Sequence, residues 1–114
     1  FEKLFGETSY KSELVESEGV KTYFYQLGES KIELLEAVKE NSPIKKFITK
    51  RGQGMHHIAF YVDDIHLELD RLTNLGFEPI GGIKEGADNK LICFIHPKTT
   101  GGVLIELCQE QGQL

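Results

Sequence analysis

The feature that most constrains the fold is a repeat between the two halves of the chain. Each half has a helical segment that ends at a glycine, Gly6 in the first half and Gly76 in the second. Two β-prone segments follow, KTYFYQL and KIELLE in the first half and KLICFIH and VLIELC in the second. The offset between the halves is far longer than the roughly 20 to 50 residues of stacked repeats. The pattern therefore predicts a duplicated module and not a solenoid.

Turn residues and helix caps predict the elements of the first half. Its strands are expected at 11–18, 20–27 and 31–36. A helix should begin after Ser42, which can act as N-cap, with Pro43 at the first helical position, where its missing N–H costs nothing. This helix should end before Gly52.

The second half shows the same kinds of signal. A strand is expected at 55–62, followed directly by a helix that Asp63 or Asp64 caps and that Gly76 ends. A glycine-rich connection at 81–86 should then lead to strands at 90–96 and 103–108. We expect the last six residues to fray.

These elements predict the fold class and the domain organisation. If the second half is a βαβββ module, the first half should follow the same plan, with its opening strand upstream of Phe1. We therefore predict one α+β domain over residues 1–114, built from paired βαβββ modules of which the first is incomplete at its N-terminus. Its parts are a partial first module at 1–38, a linker helix at 39–54 and a second module at 55–110.

Composition and charge exclude several classes of protein. The chain is 39% hydrophobic and 27% charged, which is typical of one globular domain that needs no structural metal or disulfide to fold. A net charge of −5 argues against a protein that generally binds nucleic acid or anionic membranes. No apolar run approaches the ~20 residues of a membrane-spanning helix. Cys93 and Cys108 lie in apolar runs, which favours buried reduced thiols and a cytoplasmic location.

Strand alternation selects the residues that could carry chemistry. In HHIAFYV the apolar face should pack on the helix, so His57 should point to the other side of the sheet. The same rule sends Glu106 and Glu33 away from the helices, at matching positions of the two halves. A buried strand carboxylate is unfavourable unless it is paired or bound to a metal. Imidazole and carboxylate together suit a divalent first-row metal ion, although a solvated strand glutamate and a hydrogen-bonded histidine are the commoner situations.

Longer motifs carry a resemblance to a known family. GMHHIAFYVDDI, FIHPKTTGGVLIEL and ESKIELLEAVKENSPIKKFITKRGQG together resemble the methylmalonyl-CoA epimerase family of the vicinal-oxygen-chelate (glyoxalase/bleomycin resistance/dioxygenase) superfamily. The resemblance covers residues 1–110. It implies a cupped mixed sheet around one divalent metal ion, cobalt, manganese or zinc. The matching metal ligands are His57, Glu106 and Glu33, and a further histidine should lie upstream of Phe1.

The resemblance also implies a reaction and partners. Epimerases of this family move the α-proton of the CoA thioester substrate, methylmalonyl-CoA, through a metal-stabilised enolate, a step of propionate metabolism, and they are generally homodimers. Glu106 matches the family's catalytic acid/base. The second acid/base group is open, with Lys21, Tyr23, Tyr25 or an upstream residue as candidates. His96 is expected to be either a turn residue with local hydrogen bonds or a substrate-binding residue.

Two alternatives from other classes remain. A metal-dependent lactoylglutathione lyase on the same fold would use the same kind of ligand set, so the metal residues do not separate it from the epimerase. A metal-free ligand-binding protein of the bleomycin-resistance type would have no use for aligned strand carboxylates. We therefore expect a metal-dependent isomerase, with the lyase and the binding protein as alternatives.

Overall fold

The computed structural model describes residues 1–112, and residues 113 and 114 lie outside the described part of the chain. It confirms the predicted α+β class: a three-stranded sheet and a four-stranded sheet, with helices before and between the strands. The chain divides into two compact units, Phe1–Gly54 and a second unit from Met55 onward. No helix within residues 1–112 has the length and apolar character needed to cross a membrane.

The first unit is an antiparallel meander with a helix at either end. Its elements are α1 (Glu2–Phe5), β1 (Lys11–Val15), β2 (Val20–Leu27), β3 (Ser30–Ala37) and α2 (Pro43–Arg51). The capping prediction for α2 is confirmed, because the Ser42 hydroxyl accepts a hydrogen bond from the Ile44 N–H at 3.1 Å. The prediction of a strand over 11–18 is wrong at its end, because β1 ends at Val15. Residues Glu16–Glu18 form a 3-10 turn that closes when the Gly19 N–H donates to the Glu16 carbonyl.

The second unit is a mixed sheet with one helix. Its elements are β4 (Ile58–Tyr61), α3 (Ile65–Asn74), β5 (Pro79–Gly86), β6 (Lys90–Ile95) and β7 (Ile105–Glu110). The strand order is β4-β7-β6-β5, with β4 parallel to β7 and the other pairs antiparallel. Asp64, one of the two predicted N-caps, caps α3, since its carboxylate accepts hydrogen bonds from the N–H groups of His66 and Leu67.

Three predictions about the second unit are wrong in detail. The glycine-rich connection at 81–86 is part of strand β5, which tolerates its glycines because it is an edge strand with a register shift between Ile80 and Lys84. The first strand begins at Ile58 and not at residue 55. The N–H of Ile58 donates to the Leu104 carbonyl, which is the first hydrogen bond between this strand and β7. The prediction of fraying over the last six residues is wrong for Gln109 and Glu110, because β7 continues to Glu110 and pairs there with Lys90. Residues 113 and 114 of that prediction lie outside the described part of the chain.

The core of the second unit lies between α3 and one face of this sheet. Ile65 is fully buried and packs with Cys93 and Leu107, and Leu69, Leu72 and Ile105 contact this cluster. These contacts confirm that alternate residues of β7 face the helix. The residues between them, including Glu106, therefore lie on the opposite face of the sheet.

Candidate active site

The centre of the candidate site is the pair His57 and Glu106. Glu106 lies in β7 between Ala59 of β4 and Phe94 of β6, so neighbouring strands flank it on both sides. The Nε2 atom of His57 lies 3.8 Å from Glu106 Oε2, and the side chains are only 19% and 14% exposed. The ring of His57 meets Phe94 edge-on, with the centroids 6.0 Å apart. The structure thus brings together two of the predicted site residues on the face opposite α3.

His56 contacts His57, and Cys108 contacts Glu106, and strand alternation alone predicts a site role for neither side chain. The Nδ1 atoms of His56 and His57 are 2.9 Å apart, a hydrogen-bond distance. Burial of the His56 ring, together with the neighbouring His57, lowers the pKa of His56. On the other side the Cys108 thiol donates to Glu106 Oε2 at 3.1 Å. The carboxylate therefore meets a thiol donor and an imidazole at the same oxygen.

Both cysteines are free and buried, as predicted. Only Cys108 lies on the face of Glu106, while Cys93 belongs to the core under α3. Burial raises the pKa of the Cys93 thiol, and the charge of Glu106 acts in the same direction. Cys93 is therefore a structural side chain, whereas Cys108 contacts the candidate acid/base residue.

The same sheet face carries a buried ammonium group near its far end. Lys90 is 9% exposed, and its Nζ donates to the Asp88 carboxylate at 3.1 Å and lies 5.3 Å from the centre of the Tyr61 ring. Burial disfavours the charged amine, but the neighbouring Tyr61 and Asp88 side chains outweigh it and raise the pKa of Lys90 above its ordinary range. Because Lys90 pairs with Glu110, four residues beyond Glu106, it lies on this face away from the His57 pair.

The donor set of His57 and Glu106 suits a divalent metal ion. A separation of 3.8 Å is too long for a hydrogen bond. It is within the span of two ligands that each lie about 2.1 Å from one ion. Neither unit, within residues 1–112, holds three His, Cys, Asp or Glu side chains grouped closely enough for a metal site of their own. The pair can therefore supply part of a ligand set.

Glu33, the third predicted ligand, lies in the first unit. It is exposed and pairs across the sheet with Phe24, on the face opposite α1. Glu33 therefore faces away from the preceding helix in its unit, as Glu106 does in the second. Its role as a metal ligand stays a prediction.

The register of the first unit shows which sheet face carries each candidate for the second acid/base group. Lys21, Tyr23 and Tyr25 lie on the sheet face opposite Glu33, where Phe5 of α1 meets the Tyr25 ring edge-on at 5.2 Å. Burial also raises the pKa of the Tyr25 phenol. Glu13 pairs with Thr22, so this half-buried carboxylate shares the face of Glu33. Alternation along KSELV could have identified Glu13, which our sequence reasoning overlooked.

His96 forms the local hydrogen bonds expected of a turn residue. Its Nδ1 atom accepts from the Lys98 N–H at 3.1 Å at the start of the 3-10 turn Pro97–Thr99. Its own N–H donates to the Glu78 carbonyl at 2.7 Å. A contact with substrate stays a prediction for this residue.

Comparison with known proteins shows the relatives of the chain. Residues 1–94 match the model of the family described as Glyoxalase/Bleomycin resistance protein/Dioxygenase superfamily. An uncharacterized protein of Bacillus subtilis is 38% identical over 98% of the chain and 81% of its own length. The ethylmalonyl-CoA/methylmalonyl-CoA epimerase of Cereibacter sphaeroides is 43% identical over 80% of the chain and 70% of its own length. The chain spans about half of the human mitochondrial methylmalonyl-CoA epimerase, 53% of its length, at 41% identity.

Solved structures show the same likeness. A hypothetical protein from Bacillus halodurans superposes with a TM-score of 0.93 at 39% identity, over 99% of this chain and 83% of that one. A Streptomyces coelicolor methylmalonyl-CoA epimerase in complex with 2-nitronate-propionyl-CoA superposes with a TM-score of 0.88 at 27% identity, over 97% of this chain and 84% of that one.

Proposed function

Since the chain belongs to the Glyoxalase/Bleomycin resistance protein/Dioxygenase superfamily, we propose that it epimerises methylmalonyl-CoA. The match to the superfamily model and the 43% identity to an epimerase confirm the family resemblance drawn from the sequence. The observation that carries the proposal is the partly buried carboxylate of Glu106 beside His57, in a chain that shares 43% identity with an epimerase of this substrate. The relative solved with a CoA thioester analogue supports a CoA thioester as substrate.

Glu106 is the proposed acid/base residue. The α-proton of a thioester is weakly acidic, and its removal places negative charge on the carbonyl oxygen of an enolate. A carboxylate held by the Cys108 thiol and facing His57 is positioned by its neighbours, which favours proton transfer at a fixed point. General-base catalysis of this kind contributes typically ~10² to 10⁴-fold in rate.

Epimerisation requires acid/base groups on both faces of the planar enolate. We propose Glu13 as the second group, because its half-buried carboxylate lies on the same sheet face as Glu33. Glu13 replaces Lys21, Tyr23 and Tyr25 as the first candidate, since those three side chains lie on the other face.

We propose that His57, Glu106 and Glu33 hold a divalent ion, cobalt, manganese or zinc. The donor chemistry of the described pair and its separation support this assignment. When bound, the ion would supply Lewis-acid stabilisation of charge at the carbonyl oxygen, worth several kcal/mol. The chain's own residues provide the imidazole, the carboxylates and the site's partial exclusion of water.

The activity test measures interconversion of the two methylmalonyl-CoA epimers by the purified protein. Glu106→Gln should lower kcat by roughly 10² to 10⁴-fold with little change in KM. Glu110→Gln is the matched control, because Glu110 lies on the same strand and face but is exposed, and it should keep wild-type activity. If the protein turned over a glutathione hemithioacetal but not methylmalonyl-CoA, the lyase would replace the epimerase as the proposed function.

The metal test measures zinc binding by calorimetry. His57→Ala should weaken zinc binding, whereas His66→Ala, an exposed histidine on α3, should leave it unchanged. Wild-type affinity in His57→Ala would refute the ligand assignment.

We further propose a homodimer in the cytoplasm. Strand β4 lies at an edge of its sheet and exposes Ile58 (37%) and Phe60 (52%), and exposed apolar edge strands favour pairing with another chain. The two free buried thiols support a reducing compartment. Light scattering that finds only monomer would contradict the dimer.

A further inference from the structure

We propose that His56 is a positioning residue for His57, one that accepts a hydrogen bond from the Nδ1–H of His57 and thereby leaves its Nε2 unprotonated toward Glu106. This inference rests on the proposed function, because it concerns how His57 is prepared to bind the metal ion. His56 itself lies outside the proposed ligand set.

The local backbone explains how two adjacent histidine rings can meet. In an extended strand, successive side chains point to opposite faces, so neighbouring rings would lie apart. His56 and His57 precede the first ladder residue of β4, Ile58, and are not bound by this alternation. Their rings are nearly perpendicular, at 89°, with the centroids 5.1 Å apart and the Nδ1 atoms 2.9 Å apart. The irregular backbone thus aligns one nitrogen of each ring.

A hydrogen bond between two imidazole nitrogens requires one protonated and one unprotonated atom. Either His57 donates to His56, or His56 donates to His57. In the second case the proton of a neutral His57 would be on Nε2, the atom that faces Glu106. That proton would have no hydrogen bond to the carboxylate, because Nε2 and Oε2 are 3.8 Å apart.

The first arrangement satisfies both ends of the His57 ring. Its Nδ1 proton has an acceptor at 2.9 Å, and its Nε2 lone pair faces the carboxylate oxygen with which it would share a cation. Histidines that bind metals usually donate their other N–H to a fixed acceptor, which sets the tautomer and the ring orientation. His56 supplies that acceptor here.

The direct test is the tautomer of His57 in zinc-loaded wild-type protein, read from a long-range ¹H–¹⁵N NMR spectrum. We expect a protonated Nδ1 and a zinc-shifted, unprotonated Nε2. A spectrum with Nε2 protonated, or with zinc on Nδ1, would overturn the proposal. This measurement needs no variant and so does not depend on how a substitution folds.

Two variants separate positioning from a general structural role. His56→Phe keeps a ring but removes the acceptor, and it should weaken zinc binding about 10- to 100-fold. In His56→Asn the amide oxygen can replace Nδ1 as acceptor, so affinity should return to within about threefold of wild type. Wild-type zinc affinity in folded His56→Phe would overturn the proposal. If His57→Ala also bound zinc normally, the metal assignment itself would fail, so the two failures are distinguishable.

Discussion

Substitution of Gly19 by alanine tests how the first unit is packed. Gly19 has a left-handed backbone, with φ +61°, and its carbonyl accepts from the Val38 N–H at 2.8 Å. A Cβ atom at this position would lie 2.9 Å from Lys39 Cβ and 3.2 Å from Ser42 Cβ. Both contacted atoms are attached directly to backbone, so they cannot rotate away, and Ser42 is also the N-cap of α2.

Gly28 provides a matched control. It has the same φ of +61°, but a Cβ there would meet nothing within 4 Å. An alanine in the left-handed region costs ~1 to 2 kcal/mol, partly offset by ~0.4 to 1 kcal/mol from the stiffer unfolded chain. Gly28→Ala should therefore lower the free energy of unfolding by about 1 kcal/mol. Overpacking adds ~1 to 3 kcal/mol, so Gly19→Ala should lower it by about 2 to 4 kcal/mol.

The assay is urea unfolding followed by far-UV circular dichroism. A fall in the midpoint with an unchanged m-value would report a change in stability alone. Equal destabilisation of the two variants, within about 0.5 kcal/mol, would refute the packing argument and leave only the backbone conformation.

Three further predictions concern the second unit and the reaction. Asp64→Ala removes the hydrogen bonds that cap α3 and should cost about 1 kcal/mol in urea unfolding, and an unchanged midpoint would contradict the cap. Ile65→Ala empties a fully buried position and should cost about 2 to 5 kcal/mol, so a loss below ~1 kcal/mol would contradict its place in the core. Glu13→Gln should lower kcat for epimerisation with little change in KM, and full activity would exclude Glu13 as the second acid/base group.

Much of the fold follows from local signals in the sequence. Ser42 and Asp64 identify the starts of α2 and α3, because an N-cap acts through the two or three N–H groups next to it. Strand β5 was not predicted, since its glycines are typical of loops and only pairing with β6 makes the segment a strand. The local sequence pattern does not specify which distant segments pair as strands.

The candidate site, like the fold, could be predicted only in part from the sequence. Strand alternation places Glu106 on the face opposite α3. His57 precedes β4, so alternation does not fix its side chain, but its 3.8 Å distance from Glu106 agrees with the predicted side. The contact of His56 with His57 could not be predicted, because it depends on where β4 begins. The side-chain hydrogen bond between Cys108 and Glu106 depends on rotamers, which alternation does not specify. The sequence therefore predicts the reacting groups better than the residues that orient them.

Solvent exchange at the α-carbon of methylmalonyl-CoA tests the central claim most directly. In deuterium oxide with zinc, cobalt or manganese, the wild-type protein should incorporate deuterium at this carbon, and mass spectrometry should detect one added mass unit. Glu106→Gln should lower the exchange rate by roughly 10² to 10⁴-fold, whereas Glu110→Gln should exchange at the wild-type rate. Wild-type protein that binds the metal ion and leaves methylmalonyl-CoA unlabelled would contradict the proposed function.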